Sequence, residues 1–157
     1  MERTKVFLTE ADRYVFGKGT HYEIYEKMGA HCTECDGRKG VYFAVWAPAA
    51  ECVQIVGDFN GWDGSGYEMT RLGESGIFEL FTDKAQLGSM YKYLITARDG
   101  RKLYKADPYG NYCQVRPETA SIVTSLEGFE WKDAAWLKAQ TEAEHEKQAI
   151  SIYELSL

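Results

Sequence analysis

Val56-Gly57-Asp58-Phe59-Asn60-Gly61-Trp62-Asp63 is the stretch on which the reading of this chain turns. The run leading into it, Cys52-Val53-Gln54-Ile55-Val56, has the apolar alternation of a strand. Gly57 then releases the backbone. Asn60-Gly61 is a strong turn signal, because both residue types tolerate positive φ. Trp62 follows the turn directly, with Asp58, Asn60 and Asp63 beside it. A flat apolar face rimmed by short hydrogen-bonding side chains is what a neutral sugar needs. Two placements stay open at this point. Trp62 stands at the surface for such a ligand, or the stretch is a hairpin whose Trp folds back into the core.

The residues around this stretch repeat with a period of two. Val41, Phe43 and Val45 face one way, Tyr42, Ala44 and Trp46 the other, and Pro48 ends the run. Further strands are expected over residues 52–56, 67–72, 77–81 and 90–97. The last is the best patterned, with Tyr91, Tyr93 and Ile95 on one face and Lys92, Leu94 and Thr96 on the other. Asp99-Gly100 turns the chain back through Lys102-Leu103-Tyr104, and residues 119–124 close the set. Many short strands with regular turn signals predict an all-β, immunoglobulin-like sandwich. Helix is expected at the two ends. Thr9 is a candidate N-cap before an acidic first turn, and residues 22–28 suggest a second short helix. Residues 131–143 read as a helix with Asp133 as N-cap and a stripe of Trp136, Leu137 and Gln140. Residues 142–148 read as a charged linker, and residues 150–157 turn apolar and β-prone.

Composition narrows the partners. A chain of 157 residues is long enough to bury a core without staples. Its formal charge of -6 argues against nucleic acid and against a polybasic membrane contact. A neutral polysaccharide needs no charge match. No run is apolar enough to span a bilayer and no leader signal opens the chain, so a cytoplasmic protein is expected. Cys32-Thr33-Glu34-Cys35 has the spacing of a redox or zinc pair, with His31 adjacent. No second pair follows, which favours a polar loop with reduced thiols. The histidines are His21, His31 and His145, and none sits in a catalytic or ligand motif. There is no phosphate-cradling glycine loop and no nucleophile–base constellation. The expectation is no catalytic residue, no metal and no cofactor within these residues.

Val56-Gly57-Asp58-Phe59-Asn60-Gly61-Trp62 resembles the signature of the family 48 carbohydrate-binding modules. Met28-Gly29-Ala30-His31, Phe43-Ala44-Val45-Trp46-Ala47-Pro48 and Leu72-Gly73-Glu74-Ser75-Gly76-Ile77-Phe78-Glu79 resemble the amino-terminal region of bacterial glycogen branching enzymes. So do Tyr91-Lys92-Tyr93, Lys105-Ala106-Asp107-Pro108-Tyr109 and Arg116-Pro117-Glu118-Thr119-Ala120-Ser121. Ser151-Ile152-Tyr153-Glu154 is similar to the opening of the first barrel strand of those enzymes. The resemblance implies three parts: a helical lead-in over 1–27, a carbohydrate-binding sandwich over 28–125, and a linker helix with the first barrel strand over 126–157. It implies that the chain stops where a catalytic barrel begins.

The same resemblance implies the contacts. Starch-binding members clamp glucan between two aromatics and a lysine, and Trp62 and Lys92 match directly. Tyr104 falls where some relatives carry Trp, and Asn60 and Ser121 are possible hydroxyl partners. Each has a plainer alternative: Lys92 as a solvated strand lysine, Tyr104 as an aromatic at the sandwich edge. Asp107-Pro108-Tyr109 is expected to shape a loop facing the catalytic domain rather than to touch sugar. The implied partners are an α-1,4-glucan such as glycogen or a maltooligosaccharide, and the catalytic barrel of the same chain, with a monomer expected. Two functions follow: a glucan-binding module of a branching enzyme, or a sandwich that supports the barrel and binds no sugar. A protein-interaction sandwich unrelated to sugar is the third and weakest.

Overall fold

In a computed structural model, which describes residues 7–143, 149 and 151–156, the strands form two antiparallel sheets. The first sheet runs β1 (Gly29–Cys35), β2 (Arg38–Trp46), β5 (Ile77–Thr82), β4 (Thr70–Arg71). The second runs β3 (Ala50–Gly57), β6 (Met90–Ala97), β7 (Lys102–Lys105), and β8 (Ser121–Ile122) also pairs with β6. The alternation in β2 decides how they pack. Val41, Phe43 and Val45 enter the space between the sheets with Val53, Ile55, Phe78, Tyr91 and Tyr93. That is the sandwich core, and the all-β, immunoglobulin-like expectation holds.

The opposite face of β2 is also covered. Tyr42 and Ala44 are buried with Leu8, Ile24, Met28 and Ile77. Phe7 packs against Tyr42 with its ring tilted by 54° at 4.6 Å between ring centroids. The Tyr42 hydroxyl donates to Glu79 Oε2 at 2.6 Å and accepts from the Leu8 N–H. The amino-terminal segment therefore roofs the outer side of the first sheet. Its helix α1 (Glu10–Gly17) starts as expected: the Thr9 hydroxyl accepts from the Asp12 N–H, and Asp12 Oδ2 accepts from the Thr9 N–H, a capping box. Asp12 does more than cap. Lys27 Nζ donates to its Oδ2 at 2.7 Å, and the His21 ring meets its Oδ1 at 2.9 Å. Burial pushes the Asp12 carboxyl upward, but Lys27, Thr9 and His21 outweigh it and hold the group well below the usual carboxylate range.

The structure differs from the sequence reading in three places. The second short helix is only a 3-10 turn, Ile24–Glu26, because Gly29 at φ 97 turns the chain straight into β1. β1 itself falls where a polar loop was expected. It is an edge strand joined to β2 through Asp36 and Gly37, both at positive φ, and an edge needs no apolar face. Cys32 and Cys35 are thus three residues apart in an extended strand, about 10 Å, which is beyond disulfide reach. The strand expected over 67–72 divides. Ile55 N–H donates to Tyr67 O and Met69 N–H to Val53 O, while Thr70 and Arg71 pair with β5, so the chain crosses from one sheet to the other here.

Residues 126–157 form a unit separate from residues 1–125. Its helix α2 (Ala134–Glu142) has Asp133 at the N-cap position, but the Asp133 side chain makes no capping bond. Trp136 and Leu137 are exposed. Residues 144–148 of the expected linker, and Ile150 and Leu157 of the expected barrel strand, lie outside the described residues. Residues 151–156 are exposed and carry no strand.

Asp12→Ala is expected to lower stability by about 2 kcal/mol through loss of the cap and of the charge-assisted bonds to Lys27 and His21. Because Asp12 is held low in the fold, its contribution is present above the ordinary carboxylate value near about 4 and is lost as pH falls below it. Urea unfolding at neutral pH and at about pH 3 checks this. The difference between the two proteins should shrink in acid, and an undiminished difference would contradict it.

Candidate functional site

The outer face of the second sheet carries Lys92 and Tyr104, two of the residues that the sequence singled out. Tyr91 and Tyr93 point into the core, so Lys92 and Leu94 point outward. Lys92 pairs with Val56 of β3, and Leu94 pairs with Tyr104 of β7. Tyr104 is 58% exposed. Lys92 and Tyr104 therefore share one face on adjacent strands, in diagonal register. Trp62 stands beyond the end of β3, where its N–H donates to Gly57 O at 2.8 Å.

The loop carrying Trp62 is built from within. Gly57 leads into a 3-10 turn, Asp58–Asn60, and Gly61 and Trp62 then both take left-handed conformations, at φ 64 and 63. The sequence put the positive φ at Asn60 and Gly61; the structure puts it one residue later. A Trp in this region costs about 1–2 kcal/mol, so the loop must over-determine it. Asn60 supplies much of that constraint. Its Oδ1 accepts from the Gly57 N–H at 2.9 Å and its Nδ2 donates to Ile55 O at 3.0 Å. Asp58 Oδ2 accepts from the Met90 N–H and ties the loop to β6. Asp63 accepts from both the N–H and the hydroxyl of Ser65, and these bonds hold its carboxyl below the usual range. Trp62 ends 39% exposed, neither fully displayed nor folded into the core.

Two of the residues expected to meet sugar are engaged inside the fold. Asn60 spends its amide on the loop's own backbone. Ser121 is 2% exposed, and its Oγ accepts the Asp107 N–H at 2.9 Å. It has no surface to offer a ligand. The sequence reading also missed Thr119, whose Oγ1 accepts from Lys92 Nζ at 2.8 Å. Thr119 belongs to a long excursion between β7 and β8, in which Gln114 N–H donates to Ala120 O and Ile122 N–H to Tyr112 O. No periodic signal in residues 106–120 marks that contact.

At the root of this excursion lies Asp107, 8% exposed. Its Oδ2 accepts from the Tyr91 hydroxyl at 2.6 Å and the Tyr93 hydroxyl at 3.1 Å, and its Oδ1 from the Tyr109 N–H at 2.8 Å. Burial raises its carboxyl above the usual value against the pull of these donors and of His31. Burial likewise pushes both phenols up, helped by the Asp107 charge. Among the described residues no group of His, Cys, Asp and Glu could hold a metal ion, and no helix is long and apolar enough to cross a membrane.

Two antiparallel sheets with this crossing define the class as an immunoglobulin-like β-sandwich. A family model, carbohydrate-binding module 48 (isoamylase N-terminal domain), matches residues 27–110, and the chain belongs to that family. The 1,4-alpha-glucan branching enzyme GlgB of Butyrivibrio fibrisolvens is 53% identical over 150 residues, 96% of this chain and 24% of that enzyme. The enzyme of the same description from Thermosynechococcus vestitus is 49% identical over 96% of this chain and 20% of its own length. The chain thus spans about a quarter or less of the curated relatives it matches. A crystal structure of Klebsiella pneumoniae pullulanase complexed with maltotriose superposes with a TM-score of 0.53 and 27% identity, over 65% of this chain and 10% of that one.

Trp62→Gly is expected to be more stable than Trp62→Ala by about 1 kcal/mol, because only glycine occupies this φ without strain. Thermal unfolding of the two variants measures it, and an alanine variant equal to or above the glycine variant would show that no strain is held there.

Proposed function

We propose that this chain is the amino-terminal glucan-binding module of a 1,4-alpha-glucan branching enzyme. In that reading it holds an α-1,4 chain near a catalytic barrel of the same polypeptide. The enzyme's reaction breaks an α-1,4 glucosidic bond and joins the released chain to a 6-hydroxyl, and its carboxylates belong to the barrel. Residues 28–125 are the binding sandwich, with a lead-in over 1–27 and a linker over 126–157 that leads to the barrel. A cytoplasmic monomer is part of the proposal; four cysteines without a disulfide among the described residues support a reducing compartment.

One observation carries the glucan reading. A half-exposed Trp62 is held in a strained conformation just beyond the end of β3, and Lys92 and Tyr104 share one face of the sheet that β3 belongs to. The loop maintains an aromatic plane where a simple turn would place glycine. The likeness to branching enzymes supplies the ligand class. Trp62 would stack on a glucose ring, Lys92 would donate to a hydroxyl, and Tyr104 would flank the chain. A second reading, a supporting sandwich that binds no sugar, draws on the inward engagement of Asn60 and Ser121.

Calorimetric titration with maltoheptaose separates the two. One or two aromatic planes and a few exposed hydrogen bonds suggest roughly -4 to -6 kcal/mol, a millimolar to tens-of-micromolar Kd. Trp62→Ala should remove most of the binding and Lys92→Ala part of it. Salt should hardly matter, because the ligand is uncharged. No heat and no change in tryptophan fluorescence at high excess of sugar would leave the supporting role.

A further inference from the structure

Lys92 is held from two sides, and both lead to one buried carboxylate. Its backbone lies between Tyr91 and Tyr93, whose hydroxyls donate to Asp107 Oδ2 at 2.6 and 3.1 Å. Its ammonium donates to Thr119 Oγ1 at 2.8 Å. Thr119 stands two residues before Ser121, and the Ser121 hydroxyl oxygen accepts the Asp107 N–H at 2.9 Å. Residue 107 opens the excursion between β7 and β8, and residue 121 closes it. Asp107 therefore ties the two ends of the excursion together and ties both to β6.

The packing around this knot leaves little room for it to shift. A Cβ on Gly110 would come within 3.1 Å of Ser121 Oγ and 3.2 Å of Asp107 O. A Cβ on Gly29 would come within 3.2 Å of Tyr109 O and 3.6 Å of Asp107 Oδ2. Backbone from β1 thus also presses on the Asp107-Pro108-Tyr109 turn. The Lys92–Thr119 bond is exposed to water, and an isolated bond of that kind is weak and short-lived. A lysine on a four-carbon stem spends most of its time elsewhere unless its acceptor is fixed. Here the acceptor is fixed from the interior.

We propose that Asp107 is a positioning residue for the glucan face. Its buried carboxylate, with Tyr91, Tyr93 and Ser121, sets the excursion so that Thr119 presents an acceptor to Lys92 and orients that ammonium for a sugar hydroxyl. Asp107 itself never touches sugar. The proposal takes the glucan reading of this face as given, and it adds a residue from the core to the site. It also gives the Asp107-Pro108-Tyr109 motif a task that its burial alone does not explain.

The test uses two readouts on the full chain with Asp107→Asn, Tyr93→Phe and Thr119→Val. The first needs no ligand: solvent exchange of the Lys92 ammonium protons, followed by nitrogen-detected or heteronuclear NMR on cooled samples. Asp107→Asn and Thr119→Val should both speed that exchange, and Tyr93→Phe should do so to a smaller degree. The second is the maltoheptaose Kd in a double-mutant cycle with Lys92→Ala. Asp107→Asn alone should weaken binding about three- to tenfold, the worth of one hydrogen bond, and should cost nothing further once Lys92 is alanine. A merely structural Asp107 would lower the melting temperature while leaving ammonium exchange unchanged, or would weaken binding equally in both backgrounds. Either result overturns the proposal. If Asp107→Asn fails to fold, Tyr93→Phe, which keeps the ring and removes one donor, decides in its place. If the unaltered chain binds no maltoheptaose, the glucan reading falls, and the ammonium exchange still decides whether Asp107 positions Lys92.

Discussion

Burial of both faces of β2 is the constraint from which the rest of the molecule follows. Val41, Phe43 and Val45 fill the space between the sheets, and Tyr42 and Ala44 are buried on the other side under the amino-terminal segment. A strand buried on both faces commits its sheet to the middle of the structure. The first sheet is thus roofed along its centre by Leu8, Ile24 and Met28. The outer face of the second sheet presents Lys92 and Tyr104 beside Val56 and Leu94, which are themselves buried. The lead-in docks on the first sheet because Tyr42 and Ile77 offer it an apolar surface.

Two devices then refine that outer face, and both spend stability locally. The Trp62 loop holds a bulky residue at φ 63, with Asn60, Asp58 and the Gly57 carbonyl as restraints. The Asp107 knot buries a carboxylate and surrounds it with two phenol donors and a backbone N–H. Burying a charge is unfavourable unless its hydrogen bonds are made, and here three are. Such networks define one geometry closely because any displacement leaves a buried group unpaired. The two devices stand at either side of β6: Asp58 bonds its first residue, Met90, and Asp107 bonds the hydroxyls of Tyr91 and Tyr93.

What the sequence made legible divides along physical lines. The bounds of β6 read directly as Met90–Ala97, because its core-facing tyrosines recur at every second residue. The faces of β2 and the Thr9 cap were legible for the same kind of reason: periodicity and capping are local rules. β1 was not, since a polar edge strand leaves no periodic mark. The crossing at residues 67–71 was hidden because one short run serves two sheets. At the site, Trp62 could be named from its surroundings and Lys92 from the family resemblance, but the inward bonds of Asn60 and Ser121 could not be foreseen. An asparagine that caps backbone and one that meets a ligand carry the same letter, and a serine's burial depends on the fold around it. The Lys92–Thr119 contact spans 27 positions and obeys no local pattern.

The central claim is that the outer face of the second sheet is the binding surface and that the roofed first sheet is not. Amide and side-chain chemical-shift mapping during titration with maltoheptaose tests it most directly. The account predicts shifts that cluster at Trp62, Lys92, Tyr104 and Thr119, with β1, β5 and the amino-terminal roof unmoved. Shifts centred on the roof or on β1, with the Trp62 and Lys92 signals unchanged at saturation, would contradict it.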